Sequence, residues 1–542
     1  MKRYYPFWLL ASTVLAILTL APITAIFSLS LSPSDGLFEH LQQTVLPTYI
    51  KNTFLLTSYV LLGSAILGVP TAWFMAMCQV PGERYLQWLL VLPLAMPGYI
   101  MGYIFTDWFD FAGPVQVLLR HWFDWQAGQY WFPDVRTLPG AAIVLSLGLY
   151  PYVYLLCRNA FKEQSNHLLK SAQLLRHGSI ARFMLVSMPL ARPSLVVALS
   201  LVAMETIGDF GTVSFFAVNT LTTAVYDTWL GYSDLNAAAK IAASMLGAIV
   251  ILLALERFSR RKQRLFQAQN SVENIEKFAL STAKKIAVLC WCWGIVFLAF
   301  FAPFVQLFRY AYQYFAQSWS TSFSEFTANS LSVSAIAAVL AVGLSLIVTL
   351  NARLHARPSQ YLQSRFSSLG YALPGTVLAI GVMSFLLMMD HQINDIAEFF
   401  HLDKPGLILS GTMFAIIFAF VVRFSTIAIG TIESHLAKIS PSLDMAAQSM
   451  GYRSLAMLAR VHFPLLKRPM LIAGLLVFIE SMKELNAALL LRPFNFETLA
   501  TYVYNFASDE QLELAALPAI LLVLVGVVPL VLINRSLERS RT

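Results

Sequence analysis

Charged side chains are scarce in this chain. Asp, Glu, Lys and Arg make up 12% of its 542 residues, whereas 58% of the residues are hydrophobic. A soluble globular domain carries about 25% charged residues, so a fold with a water-facing polar surface is excluded. Strands of a membrane β-barrel would alternate in hydrophobicity over roughly 10 residues, but the apolar stretches here are apolar on all sides. The composition therefore predicts an all-α integral membrane protein.

Cysteine is also rare, and the four cysteines are Cys78, Cys157, Cys290 and Cys292. All four lie in or beside apolar stretches, and the spacing of Cys290 and Cys292 matches neither a zinc nor a haem motif. We interpret them as small apolar helix residues. The sequence assigns no metal-ligand set.

Two motifs that would bring chemistry of their own are missing. The chain has no Gly-x-x-x-x-Gly-Lys-Ser/Thr run, whose backbone N–H groups cradle phosphates, and no His-Glu-x-x-His zinc site. We therefore expect that this chain is not an enzyme, has no catalytic residue and binds no cofactor. Any ATP that drives the protein must be used by a partner subunit.

Long apolar runs are what the chain has in quantity. About 20 apolar residues cross the hydrocarbon core of a bilayer as a helix. The first run has about 25 residues, longer than the apolar core of a signal peptide, so we expect it to remain as a span. The twelve runs, six in each half, lie at 7–31, 54–78, 86–106, 138–157, 194–218, 236–256, 286–308, 329–350, 369–389, 406–432, 470–491 and 513–533.

Basic residues are distributed unevenly between the two sides of this predicted bundle. With the N-terminus inside, the inner segments hold 28 of the 37 Lys and Arg residues, and such residues are retained on the cytoplasmic side. Both termini and the linker 257–285 are therefore expected in the cytoplasm. The net charge of +8 is a signal of topology, and we expect no nucleic-acid partner.

A second half repeats the first. Ala172 and Pro189 return as Ala447 and Pro464, and both pairs are 275 residues apart. Because six spans separate equivalent points, the two halves enter the membrane in the same direction and form a parallel repeat. We divide the chain into a first half, 1–256, the linker, and a second half, 286–542.

Each half carries an amphipathic, basic segment between its fourth and fifth spans, at 165–193 and 440–469. One interpretation is a helix that lies on lipid headgroups. Duplicated small residues and prolines instead favour docking to a soluble partner, with Gly451 permitting a backbone turn. Pro189 and Pro464 are expected to end these segments.

These segments resemble the cytoplasmic coupling loop of binding-protein-dependent ABC-transporter permeases. The consensus of that loop is Glu-Ala-Ala, a Gly four residues after the second Ala, and Leu-Pro about a dozen residues later. The second copy has Met445 in the Glu place, and the first has Arg176 where Gly is expected. The resemblance implies ATPase-coupling roles for Ala172, Arg176, Pro189, Ala446, Ala447, Gly451 and Pro464.

Three further stretches, 204–212, 482–486 and 491–496, look like the fused twelve-span iron(III)-uptake permeases. This resemblance implies a type I ABC importer permease in the bacterial inner membrane that passes ferric iron. Its implied partners are two ATP-binding cassette ATPase subunits and a periplasmic substrate-binding protein. Permeases for thiamine, polyamines or inorganic anions remain alternatives, as does a secondary transporter, which can also have two parallel halves.

Ionisable residues inside predicted spans form a last group. Such residues are costly in lipid and face a cavity or a partner charge. The 205/209 and 480/484 spacings predict that each acidic pair lies on one helix face. Hard oxygen ligands suit a ferric ion, but ion pairing or gating is the favoured interpretation. The candidates are Glu205, Asp209, Arg423, Glu480, Lys483 and Glu484.

The predicted topology can be tested with Ser179→Cys and Ser271→Cys, each in a background without the four native cysteines. Both should resist an impermeant thiol reagent added to intact spheroplasts, because both segments are expected in the cytoplasm. Ser322→Cys, in a predicted outer loop, is the control that should react. Labelling at position 179 or 271 would overturn the topology.

Overall fold

The computed structural model describes residues 6–34, 36–126, 128–164, 179–260, 277–355, 358–452 and 454–539. Within these ranges the chain is helical, and an isolated bridge joins Cys78 to Phe278. The principal helices, in chain order, are α1 Pro6–Ser30, α2 Leu46–Met77, α3 Gly98–Phe109, α4 Leu138–Lys162, α5 Met188–Gly208, α6 Leu235–Arg260, α7 Thr282–Gln313, α8 Thr321–His355, α9 Gly375–Phe399, α10 Met413–Leu436, α11 Phe463–Lys483 and α12 Leu512–Arg539.

Short helical segments connect them. The α-helical ones are Leu37–Thr44, Glu83–Leu89, Pro114–Phe123, Ser179–Arg182, Gly211–Phe215, Leu221–Tyr226, Phe315–Ser318, Pro358–Ser367, Pro441–Ser449, Ser454–Met457, Asn486–Leu491 and Leu499–Ser508. Two 3₁₀ turns cover Leu92–Ala95 and Gly370–Ala372. Wider π-helical turns cover Phe183–Ser187, Asp227–Gly231, Phe297–Phe301 and Leu458–His462.

The all-α membrane class is confirmed, with a smaller count of complete spans. In the described part of the chain, ten helices are long and apolar enough to cross a membrane. An eleventh results if Glu83–Ala95 and Gly98–Phe123, bent by 91°, form one span, and the apolar part of α12 is shorter. The bend lies at Met96 and Pro97, which are extended, because a residue before proline avoids helical geometry.

The predicted runs 194–218 and 470–491 are not single helices. α5 ends at Gly208 and α11 at Lys483. The next residues, Asp209 and Glu484, are extended, with ψ of 130° and 111°. A second short helix then follows in each half, so both runs break inside the region predicted to span.

The expectation that Pro189 and Pro464 end their segments is wrong. Each lies in the first turn of α5 or α11, directly after a π-helical turn, and the helix continues through it. The π turn is closed by bonds from Met188 N–H to the carbonyl of Phe183 and from Phe463 N–H to that of Leu458. The π turn interrupts the regular hydrogen-bond pattern directly ahead of each proline, where the proline has no N–H to donate.

The repeat extends to individual hydrogen bonds. Asn52 Nδ2 donates to the carbonyl of Asn219 at 3.0 Å, and Asn329 Nδ2 donates to that of Glu497 at 3.3 Å. Capping boxes at Thr220 and Thr498 start equivalent helices. The two halves are therefore copies of one structural unit.

The halves of the sequence do not form separate bodies. α1 packs against α8 and α9 of the second half, and a side chain at Gly381 would meet the carbonyl oxygen of Pro22 at 2.5 Å. In the opposite direction, Trp291 of α7 donates to Thr71 Oγ1 of α2 at 3.0 Å. One buried apolar cluster accordingly combines α2 to α5 with residues of α7 and α12, and another combines Trp8 and Leu246 with α8 to α11. Each half covers apolar surface of the other.

Candidate functional site

The site begins at the two helix breaks. Asp209 accepts hydrogen bonds from the backbone N–H groups of Thr212 and Val213, at 3.0 and 3.1 Å. Glu484 accepts one from the N–H of Ala487 at 3.1 Å. Each carboxylate thus caps the short helix that follows it, where N–H groups have no helical partner and negative charge is favoured.

The prediction that each acidic pair shares one helix face is therefore wrong. Glu205 and Glu480 lie within α5 and α11, but Asp209 and Glu484 lie just beyond the ends of these helices. The spacing rule assumed an unbroken helix. In the first half the helix ends at Gly208, so that assumption does not hold.

The six ionisable residues nevertheless meet at one place. A cavity of about 360 Å³ lies between the two halves, and its walls include Glu205, Asp209, Arg423, Glu480, Lys483 and Glu484. The glycine at the start of α9 allows the charged side chains to approach closely. An added Cβ at Gly375 would meet Arg423 Nη1 and Glu484 Oε1, both at 2.5 Å. The described part of the chain has no cluster of three or more His, Cys, Asp or Glu residues suited to a metal ion.

Two of the ion pairs that the sequence allowed are present. Arg423 Nη1 lies 3.1 Å from Glu484 Oε1, with both side chains about nine-tenths buried. Lys483 Nζ lies 3.2 Å from Glu480 Oε1, and it also donates to the carbonyl of Leu94 at 3.3 Å. Four carboxylates and two basic groups line the cavity, so carboxylates are in excess.

Both basic groups come from the second half. The repeat spacing of 275 places Gly148 opposite Arg423 and Gly208 opposite Lys483. Among the described residues, Glu205 has no ion-pair partner within 4.0 Å. It accepts a hydrogen bond from the Tyr371 hydroxyl at 2.9 Å instead.

Four polar wall residues were missed by the sequence analysis: Tyr99, Tyr152, Tyr371 and Asn486. Asn486 Nδ2 donates to the carbonyl of Gly208 at 2.8 Å and so ties the two breaks together across the halves. Asn486 lies in the stretch 482–486, whose resemblance to the iron(III)-uptake permeases gives no indication of a cavity. Tyr371 lies three residues before the repeated Pro374. Its polar hydroxyl within an apolar run is the sequence feature that could have indicated a functional role.

The described residues include most of the second repeated loop but little of the first. Ala172 and Arg176 lie outside the described residues. In the second loop, Gly451 has a φ of +83° and ends the helix Pro441–Ser449. Its N–H donates to the carbonyl of Gln448, and the N–H of Tyr452 donates to the carbonyl of Ala447. This is a Schellman motif, which glycine adopts without strain.

The same loop presents an outer apolar face. Leu443, Met445 and Met450 are 45%, 63% and 66% exposed, and Ala446 is exposed as well. Ala447 is buried against the body of the protein. Of the predicted Ala446–Ala447 pair, only Ala446 is thus exposed on this face.

A polar anchor holds this loop. Arg353 Nε of α8 donates to Asp444 Oδ2 at 2.6 Å, and its Nη2 donates to the carbonyl of Ile439 at 2.9 Å. The buried ring of His462 lies 3.3 Å from Asp444. The loop helix is therefore joined to α8 and to the start of α11, which sequence reasoning did not find.

Comparisons of the sequence with known proteins find similar transport components. The model of the family "Binding-protein-dependent transport system inner membrane component" matches residues 68–264 and 341–542. The chain is 25% identical to the Fe(3+)-transport system permease protein FbpB 2 of Haemophilus influenzae, over 99% of both chains.

More distant similarities exist. The ferric transport system permease protein FbpB of Actinobacillus pleuropneumoniae is 22% identical over 86% of this chain and 68% of its own length. The molybdenum transport system permease protein ModB of Escherichia coli is 24% identical over 38% of this chain and 90% of its own.

The buried pair Arg423–Glu484 can be tested by removing one partner or both. Arg423→Met should lower the thermal unfolding midpoint of the purified protein, because an uncompensated buried carboxylate costs about 3–5 kcal/mol. The double variant with Glu484→Gln should recover much of that loss. An unchanged midpoint in Arg423→Met would contradict a structural role for the pair.

Proposed function

The chain belongs to the family of binding-protein-dependent transport system inner membrane components, and from that premise we propose that it passes ferric iron into the cytoplasm. The family consists of binding-protein-dependent transport systems, which argues against the secondary-transporter alternative. The ferric assignment is the finer step. It rests on the charge of the cavity together with the names of the full-length relatives.

The excess of carboxylates in the cavity carries the proposal. Among the described residues, the cavity lining has the basic groups Arg423 and Lys483 against four carboxylates, so an oxyanion such as molybdate or sulfate would meet net repulsion. A cation would be attracted, and oxygen ligands suit a hard ion such as Fe³⁺. Oxyanion transport is the second candidate, because shorter relatives are named as molybdenum and sulfate permeases.

The expected partners follow from the family. We propose that two ATP-binding cassette ATPases bind the repeated loops and a periplasmic binding protein delivers iron to the opposite face. ATP is then used by the partner, and this chain binds no cofactor. Both termini and the linker 257–285 lie in the cytoplasm in this scheme.

The second loop offers a direct mechanical route to the cavity. The exposed face around Met445 and Met450 docks on the ATPase, and Asp444 transmits its movement to Arg353 and His462. α11 starts beside His462 and ends at Lys483 in the cavity wall, roughly 30 Å away at 1.5 Å per residue. A displaced loop therefore moves Glu480 and Lys483.

Substrate choice is tested in proteoliposomes that contain the permease, its ATPase and its binding protein. ATP-dependent accumulation of radiolabelled Fe³⁺, without accumulation of molybdate or sulfate, is the expected result. Thiamine and spermidine serve as the cationic competitors. Accumulation of an oxyanion or of an organic cation in place of iron would refute the ferric assignment.

The coupling role is tested at Gly451. Gly451→Trp should abolish ATP-driven uptake at a normal membrane level, because the side chain is strained at φ +83° and obstructs the docking face. Gly36→Trp is the matched control, with the same φ and open space around it, and should transport normally. Arg176→Trp should be milder than Gly451→Trp, since that copy lacks the glycine. Normal uptake by Gly451→Trp would exclude the role.

A further inference from the structure

The four cavity carboxylates have four different surroundings. Glu480 and Glu484 are paired with Lys483 and Arg423. Asp209 accepts hydrogen bonds from backbone N–H groups and from the Thr212 hydroxyl, the latter at 3.0 Å. Glu205 alone accepts from a phenol, that of Tyr371. The repeat duplicated the acids and left one of them with a neutral partner that can lose a proton.

The phenols also break the symmetry. The turn Gly370–Ala372 of the second half brings Tyr371 to Glu205. The backbone N–H of Tyr371 donates a hydrogen bond to Thr426 Oγ1 at 3.3 Å. Tyr152 lines the same cavity as Tyr371 and Glu205. The repeat spacings place Leu94 and Ile427 at the equivalent positions. The Tyr371 phenol thus lies beside the acid that lacks a base.

We propose that Tyr371 and Glu205, with Tyr152 beside them, form a transient ferric-ion site in the cavity, an inference that rests on the proposed function. Phenolate and carboxylate are hard oxygen donors, which a small, highly charged ion prefers. On binding, the Tyr371 O–H bond breaks, its proton passes to water, and an oxygen–iron bond forms. Iron stays ferric throughout.

The neighbouring charges explain why such a site would release its ion. Arg423, although paired with Glu484, lines the same cavity as Glu205 and Tyr371. A fixed positive charge beside the ligands opposes Fe³⁺ and keeps the site weak. Weak intermediate binding is what conduction needs, since an ion must leave as well as enter.

The test uses the optical signature of iron bound to tyrosinate, a visible charge-transfer band. The assembled permease–ATPase complex in nanodiscs is titrated with ferric nitrilotriacetate. The band should appear with wild type, disappear with Tyr371→Phe, and weaken with Glu205→Gln. Tyr310→Phe is the matched control, because Tyr310 donates to Asp107 at 2.8 Å outside the cavity, and it should keep the band.

Ferric uptake measured on the same variants separates the two proposals. Wild-type uptake without a band, or a band that survives Tyr371→Phe, would overturn the tyrosinate site and leave ferric transport intact. Failure of the wild-type complex to take up Fe³⁺ would refute the proposed function itself. If Tyr371→Phe does not fold, Tyr152→Phe and Glu205→Gln carry the comparison, and an unchanged band in both overturns the site.

Discussion

A helix that breaks within the membrane leaves backbone N–H groups that must find partners, because lipid supplies none. Asp209 and Glu484 satisfy them at the two central breaks. These acids bring negative charge to the interface between the halves, and Arg423 is placed where it compensates one of them. Two of the four cavity carboxylates, and the Arg423–Glu484 ion pair, therefore follow from the need to satisfy two interrupted helices.

Duplication supplied the backbone of this site, whereas divergence supplied its chemistry. The breaks, the caps and Glu205 with Glu480 recur in both halves. The basic groups Arg423 and Lys483 belong to the second half alone, and the Tyr371 phenol faces the unpaired acid of the first. A nearly symmetric frame thus surrounds a site with unlike sides.

Particular residues show how far sequence reasoning reached. Periodic apolar runs and the constant offset of 275 identified the helices, the repeat and the six charged residues that meet in the cavity. The same reasoning failed at Asp209 and Glu484, where spacing predicted one helix face and the chain breaks instead. It also misjudged Pro189 and Pro464, because a preceding π turn accommodates a proline inside a continuing helix.

The sequence by itself determined membrane class, duplication and the types of group available for the site, since hydropathy and repetition are properties of residues in order. Only the tertiary structure decided which groups are neighbours. Tyr371 meets Glu205 across 166 residues, and Arg353 holds Asp444 across 91. α1 and α7 also pack against the opposite halves. Such contacts depend on how helices pack in three dimensions, which local pattern does not encode.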